Sequence, residues 1–156
     1  MQNQPGFSLV ELIVGVTITA ILLTMGLSAY RQAQNRAYIQ AAKESILEIL
    51  QSSQKQAYIG ENDCTDSGIF EGVEVRIQTP NSITVLPKCA GVYGASDTHT
   101  LSNLTFQSSH TILFKPLGQG VGLGGTNSLD IIYQIYGNSY AVNITAPGNI
   151  RYLGEQ

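Results

Sequence analysis

Apolar positions dominate the first part of the chain without any interruption by charge. Within residues 12–30, about 19 consecutive positions carry no charged side chain, close to the roughly 20 that an α-helix needs to cross the hydrocarbon core of a bilayer. A secretory signal peptide is the competing interpretation, but it normally begins with basic residues, and residues 1–5 contain no Lys or Arg. The pattern therefore predicts a membrane-spanning helix.

Beyond Tyr30 the apolar pattern changes its period instead of ending. No Pro or Gly occurs until Gly60, and apolar residues recur three to four positions apart, which places them on one face of a helix. We therefore expect one helix from residue 7 to about residue 58, roughly 78 Å long at 1.5 Å per residue, with Gly60 ending it. The apolar stripe comprises Ile39, Ala42, Ile46, Ile49, Leu50 and Ala57.

Further along the chain the period falls to two, as expected for half-buried strands. Val73, Val75 and Ile77 share one face of the run GVEVRIQ. Gly137-Asn138 is typical of a tight hairpin turn, and Pro147-Gly148 suits the central positions of a type II turn. The last three runs are predicted to form an antiparallel meander. After GVEVRIQ the runs are SITVL, NLTFQ, HTILF, SLDIIYQIY, SYAVNIT and NIRYL.

The two periods together predict an α+β fold. The apolar stripe on the second half of the helix needs a partner in water, and the strands offer an apolar face. We expect a long N-terminal α-helix, transmembrane in its first half, whose second half packs on a C-terminal antiparallel β-sheet head. A chain of 156 residues is long enough for one such core.

Charge is sparse and scattered along the chain. Charged residues make up 12% of it, against roughly 25% in a typical soluble domain, and the net charge is −3. Nucleic-acid binding needs several Lys or Arg side chains to meet phosphates. From Gly60 onward these are Arg76, Lys88, Lys115 and Arg151. A nucleic-acid partner is therefore disfavoured.

The two cysteines, Cys64 and Cys89, can form one disulfide bond. An oxidising compartment would favour that pairing. A metal site built on two thiolates would need two further ligands, and His99 and His110 lack a metal-ligand spacing. We expect a disulfide that closes a loop of about 24 residues, and neither a metal nor another cofactor.

Glu11 lies at the start of the apolar run, where the same chain offers it no nearby cation. Arg31 is the next charged residue, about 30 Å further along a helix. A carboxylate in hydrocarbon costs on the order of 3 kcal/mol. Glu11 therefore needs either a cation from elsewhere or a position close to the membrane surface.

The stretch GFSLVEL, residues 6–12, resembles the processing signal of type IV prepilins and type II secretion pseudopilins. In these families a Gly precedes the cut, Phe is the first mature residue, and Glu follows four places later. The resemblance implies that a prepilin peptidase cleaves between Gly6 and Phe7 and methylates the amine of Phe7. The amine of Phe7 in one subunit would then neutralise Glu11 of its neighbour during assembly.

The same resemblance implies a domain organisation and a cellular location. Residues 1–6 would be the leader, 7–30 the transmembrane and assembly helix, 31–59 its amphipathic continuation and 60–156 the β-rich head. The chain would cross the inner (cytoplasmic) membrane once, with its head in the periplasm or extracytoplasmic space, and then enter a pilus or pseudopilus. The implied partners are other pilin or pseudopilin subunits, the prepilin peptidase, the inner-membrane assembly platform and, before assembly, membrane lipid.

A second resemblance lies in the C-terminal part. The stretch ILFKPLGQGVG, followed after a further strand by APGNIRYL, is similar to the C-terminal pattern of the GspH/FimT group of minor pilins and pseudopilins. Gln119 and Asn149 depart from that pattern, because Arg is common at both positions in the group.

Several other polar groups favour structural interpretations. An acidic cluster lacks the spacing of a calcium loop, so a solvated loop is expected. The glycine-rich residues 118–125 lack the Lys of a phosphate-binding loop and are expected to form a flexible loop between strands. Ser108-Ser109-His110 and His99 lack a catalytic carboxylate, and exposed positions are expected. Tyr133, Tyr136, Tyr140 and Tyr152 suit either an adhesive surface or packing on a sheet face. The acidic cluster comprises Glu61, Asp63, Asp66, Glu71 and Glu74.

These observations favour a structural subunit over an enzyme. The expected protein is a minor pilin or pseudopilin of a type IV pilus or type II secretion filament, assembled through its N-terminal helix. The alternative is a DNA-binding minor pilin for natural competence, for which the cations of the head are few. A membrane-anchored enzyme ranks last, since no catalytic residues can be assigned.

Overall fold

One long helix and a series of short strands make up the computed structural model, which describes residues 8–60, 64, 68–90 and 92–156 apart from the Met25 side chain. The helix, α1, spans Leu9–Ile59 and contains 51 residues. The predicted α+β class is confirmed. The strands of the described part are β1 (Phe70–Gln78), β2 (Ser82–Cys89), β3 (Val92–Tyr93), β4 (Asp97–Thr100), β5 (Thr105–Phe106), β6 (His110–Phe114), β7 (Val121–Gly122), β8 (Ser128–Ile135), β9 (Asn138–Thr145) and β10 (Ile150–Glu155), with a 3₁₀ turn at Pro116–Gly118.

The helix ends where the sequence predicts. Gly60 follows Ile59 with a φ of +70°, the left-handed conformation that only glycine adopts without strain. The predicted start at residue 7 lies outside the described residues, and α1 begins at Leu9.

The strands form two antiparallel sheets, whereas the sequence predicted one. The six-stranded sheet has the order β3-β2-β1-β6-β7, with β4 also paired to β2, and the four-stranded sheet has the order β10-β9-β8-β5. The chain passes from the four-stranded to the six-stranded sheet within a few residues. Phe106 in β5 pairs with Tyr133 in β8, whereas His110 in β6 pairs with Ile77 in β1. The predicted meander of the last three strands is confirmed.

The chain divides into two compact units, Met1–Tyr38 and Ile39–Gln156. The second unit contains a single core, to which α1 and both sheets contribute. The predicted helical stripe is confirmed, with Ile39 and Ala42 only partly buried. Ser53 lies buried on the same stripe, where its hydroxyl donates a hydrogen bond to the carbonyl of Ile49 at 2.7 Å. Fully buried core residues include Ile46, Leu50, Val73, Val75, Ile83, Ile112, Ile131, Tyr133, Val142 and Ile144.

Both predicted turns are present, but each lies one residue earlier than predicted. Tyr136 and Gly137 have φ angles of +51° and +87°, as a type I′ hairpin turn requires, and Asn138 already pairs with Ile135. In the second turn the amide of Gly148 donates to the carbonyl of Thr145 at 2.8 Å, so Ala146 and Pro147 are central. The sequence preference of Gly and Asn for turns located the turn but not its register.

The glycine-rich segment is more ordered than a flexible loop. Val121 and Gly122 form β7, which pairs with Phe114 and Leu113 of β6. The amide of Val121 also donates to the carbonyl of Ala146 at 2.8 Å. The expectation of a flexible loop over residues 118–125 is therefore wrong at its centre, because these backbone groups are bonded to both flanking segments.

A disulfide bond joins Cys64 to Cys89, with 6.1 Å between their Cα atoms. Cys89 is the last residue of β2 and pairs with Val92 of the edge strand β3. The bond therefore attaches the segment that follows α1 to an edge of the six-stranded sheet.

Gly72 offers a test of the sheet. It has a φ of +135° at an irregularity in the β1–β2 pairing, and a Cβ there would overlap the carbonyl oxygen of Phe114. We expect Gly72→Ala to lower the free energy of unfolding by about 2 to 4 kcal/mol. The measurement is denaturant unfolding of the full-length protein in detergent. Gly124→Ala is the control, because Gly124 has a φ of +66° but open space around it. Equal losses in the two variants would contradict the proposed overlap.

The disulfide offers a second test. The two cysteines are 25 residues apart, and closing a loop of that length in the unfolded chain stabilises the folded state by about 3.5 kcal/mol. We expect the double variant Cys64→Ser and Cys89→Ser to unfold at lower denaturant concentration than wild type. A reductant should bring the wild-type midpoint down to that of the variant, and an unchanged midpoint would contradict the account.

Candidate functional site

Glu11 lies in the first turn of α1. Its backbone amide donates to the carbonyl and to the hydroxyl oxygen of Ser8, at 3.1 and 3.2 Å. Ser8 is thus the N-cap residue and Glu11 the third helical residue, the spacing of a capping box. The Ser-x-x-Glu pattern at residues 8–11 is the sequence signal of such a cap. The cap holds Glu11 at a defined place on the helix.

The neighbours of Glu11 along the helix are apolar side chains that are exposed within the part of the chain that the structure describes. Leu9 is 76% exposed, Val10 68% and Leu12 63%. α1 is long and apolar enough to cross a membrane by length and composition, and none of its apolar window is buried. Such a surface is costly in water, so this segment needs lipid or other helices around it.

Threonine hydroxyls within the apolar segment bond to the helix itself. Thr17 donates to the carbonyl of Val14, Thr19 to that of Gly15, and Thr24 to that of Ile21, at 2.8 to 2.9 Å. These bonds satisfy polar groups that hydrocarbon could not solvate. The segment is therefore compatible with an apolar environment at every one of these positions.

Unlike the threonine hydroxyls, the Glu11 carboxylate has no ion-pair partner within the described part of the chain. Of the predicted processing residues, Gly6 and Phe7 lie outside the described residues. The structure therefore presents a capped helix start with one carboxylate among exposed apolar side chains. Such a group needs a cationic partner in hydrocarbon, or else a position close to the membrane surface.

The acidic cluster does not behave as one solvated loop. Glu74 is only 7% exposed, and its carboxylate accepts bonds from Arg76 at 2.6 Å and from the Tyr93 hydroxyl at 3.2 Å. The Arg76 guanidinium lies 4.7 Å from the centre of the Tyr93 ring, and its bond to Glu74 raises the pKa of Arg76. The solvated-loop expectation is wrong for Glu74, while Glu61, Asp63 and Asp66 lie outside the described residues.

The cations of the head are partly neutralised. Lys88 pairs with Glu71 at 3.1 Å, and this contact raises the pKa of Lys88. With Arg76 paired to Glu74, two of the four cations considered for nucleic-acid binding already have carboxylate partners. The positive field available to a phosphate backbone is weaker than the residue count alone indicates.

The histidines lie apart from one another. His99 in β4 contacts Asp97 at 3.2 Å, whereas His110 in β6 lies 2.7 Å from the Ser108 hydroxyl. Burial lowers the pKa of His110. Ser108 and Ser109 are exposed, as expected, whereas His99 and His110 are only partly exposed. No carboxylate is bonded to His110 in the described part of the chain. Among the described residues no three His, Cys, Asp or Glu side chains lie together as metal ligands.

Two of the four tyrosines belong to the core. Tyr133 and Tyr140 are buried and stack with 5.8 Å between ring centres. Tyr152 is half-buried, and the ammonium group of Lys43 lies 5.0 Å from its ring centre. Packing on a sheet face therefore explains these three, while Tyr136 is 58% exposed in its hairpin turn.

Comparison with known families supports the first resemblance. Residues 1–27 match the prokaryotic N-terminal methylation motif, and this range contains the predicted cleavage site, Glu11 and most of the apolar segment of residues 12–30. No curated protein and no solved structure matches the chain. The resemblance of the C-terminal part to the GspH/FimT group therefore remains a prediction. The matched motif, the capped apolar helix and the α+β fold together support a similarity to type IV pilin-like proteins, carried by the N-terminal segment of the chain.

Proposed function

We propose that this protein is a structural subunit, a minor pilin or pseudopilin, of a type IV pilus or type II secretion filament. One observation supports this most directly. A carboxylate, Glu11, occupies the capped first turn of an exposed apolar helix and has no cationic partner in the described chain. The methylation motif covers the same residues.

In the proposed mechanism, cleavage between Gly6 and Phe7 creates the missing cation. The new α-amine of Phe7 is methylated and keeps its positive charge. When helices pack side by side, the amine of one subunit meets Glu11 of the next. Because a lone carboxylate in hydrocarbon costs on the order of 3 kcal/mol, this pairing favours the assembled state over the subunit alone in the membrane.

The proposed partners follow from this sequence of events. The precursor lies in the lipid of the inner membrane, where the prepilin peptidase cleaves it. The assembly platform then receives the processed chain, and other subunits of the filament bury its apolar segment. The head projects into the periplasm or extracytoplasmic space, where its disulfide is stable. DNA uptake has less support, since Arg76 and Lys88 are already paired with carboxylates.

Neutralising Glu11 tests the proposed pairing. Glu11→Gln keeps the size of the side chain and the backbone cap but removes the charge. We expect the amount of this protein in sheared filaments to fall about tenfold or more, with subunits retained in the membrane, since the lost pairing is worth on the order of 3 kcal/mol. Glu155→Gln, at an exposed residue of β10, is the matched control. Normal filament content with Glu11→Gln would contradict the proposal.

Blocking the cut tests the processing step separately. Gly6→Trp places a bulky side chain beside the scissile bond, so we expect uncleaved precursor to accumulate in the membrane. The measurement is electrophoretic mobility of the membrane-bound protein beside the wild type. A variant that is shortened and assembled like wild type would argue against cleavage after Gly6.

A further inference from the structure

One exposed face of α1 carries opposite charges at its two ends. Glu44, Leu47, Glu48, Gln51, Lys55 and Tyr58 recur three to four residues apart and therefore lie on one side of the helix. The two glutamates lie at one end of this face and Lys55 at the other. We call Glu44, Leu47 and Glu48 the acidic turn.

The basic end of this face opens into a groove of about 280 Å³ between α1 and the sheets. Its lining includes two lysines, Lys55 and Lys115, and three apolar or aromatic side chains, Tyr58, Phe114 and Pro147. We call this the basic groove. Neither lysine makes an ion pair within the described part of the chain. The groove thus combines two lysines without ion-pair partners among the described residues with apolar and aromatic side chains, beside the polar Gln51 and Gln54.

The loop beside the basic groove is held in a strained conformation. Leu117 has a φ of +54° and is 77% exposed, although a β-carbon disfavours this backbone conformation. The next residue, Gly118, lies against Tyr58, since a Cβ there would be 3.4 Å from the ring. Strain of this kind is retained where surrounding contacts impose it, often at binding sites. Here the strained residue is exposed and apolar, and it directly precedes the glycine that lies against the Tyr58 ring.

The acidic turn has the complementary composition. Glu44 accepts a hydrogen bond from the Gln40 amide at 2.6 Å, which orients its carboxylate. Glu48 makes no ion pair with any described residue. Leu47, between the two glutamates, is half-buried and packs against the edge of the core. Two carboxylates around an apolar centre thus match two ammonium groups around an apolar groove.

The spacing of the two surfaces determines how copies would meet. Lys55 lies seven residues beyond Glu48 and eleven beyond Glu44, or about 10 and 16 Å along the helix. If every chain joins the filament through its N-terminal helix, neighbouring helices run in the same direction. A copy displaced by about 10 to 16 Å would then bring its acidic turn level with Lys55 of the first. Such a contact joins two different surfaces and so repeats without closing.

We propose that the basic groove binds the acidic turn of a second copy of this chain, displaced along the helix axis. This inference rests on the proposed function for the parallel direction of the helices. It adds a contact between heads to the contact made by the N-terminal segments. Salt should weaken it, because the charged groups lie at an exposed rim.

Photo-crosslinking of the full-length protein tests this contact. We replace Tyr58 with p-benzoyl-phenylalanine in cells that carry the peptidase and assembly platform. The expected product is a dimer in which residue 58 is joined to the tryptic peptide of residues 44–55 of the second copy. Lys55→Glu or Glu48→Lys should each lower the dimer yield about tenfold, and the two changes in one chain should restore it, since the charges are exchanged.

Arg151→Glu is the matched control, because it makes the same charge change at an exposed residue outside both surfaces. It should leave the yield unchanged. The inference is overturned if the crosslink joins residue 58 to another region or to another protein, or if the double variant yields no more than the single ones. Filaments that persist alongside such a result leave the proposed function standing. Wild-type protein that is neither cleaved nor assembled would instead overturn the proposed function.

Discussion

A carboxylate at the start of an apolar helix is the constraint on which the rest of this protein depends. Ser8 caps the helix and fixes Glu11 in its first turn, while the side chains around it are exposed and apolar. No cation of the described chain pairs with that charge, so its transfer into hydrocarbon is costly. In the proposed assembly, the α-amine that cleavage creates on one subunit pairs with Glu11 of the next and removes this penalty. The same ion pair would then link processing, release from the membrane and filament growth.

The same helix must suit two surroundings. In its first part the threonines bond to the helix backbone and leave few unsatisfied polar groups. From Ile39 onward, the apolar positions narrow to one stripe that packs into the core of the second unit. The opposite face carries the glutamates of the acidic turn and Lys55, and the basic groove lies where this face meets Phe114 and Lys115. Burial of one face therefore determines which charges remain available to a neighbour.

Local periodicity predicted much of the fold. The helix end at Gly60, the stripe through Ile46 and Leu50, and the last three strands each depend on residues close together in sequence. The division into two sheets could not be predicted, because it depends on which distant strand each segment pairs with. Strands β3, β4 and β7 were missed because runs of two to four residues are too short to show alternation.

Among the candidate sites, too, the sequence predicted those formed by neighbouring residues and missed those formed by residues far apart in the chain. The processing signal at residues 6–11 is contiguous, so the sequence alone indicated it, and residues 1–27 match the methylation motif. The burial of Glu74 was hidden, because its partner Tyr93 lies 19 residues away on another strand. The register of the hairpin turn was hidden too, since Tyr136 adopts a conformation that its residue type seldom takes.

The intact mass of the protein isolated from filaments tests the central claim most directly. A positive terminus opposite Glu11 exists only if the chain is cut after Gly6. The account predicts a single species that begins at Phe7 and carries one methyl group on its α-amine. An assembled protein that still begins at Met1 would contradict it, because Glu11 would then lack the cation that the account assigns to it.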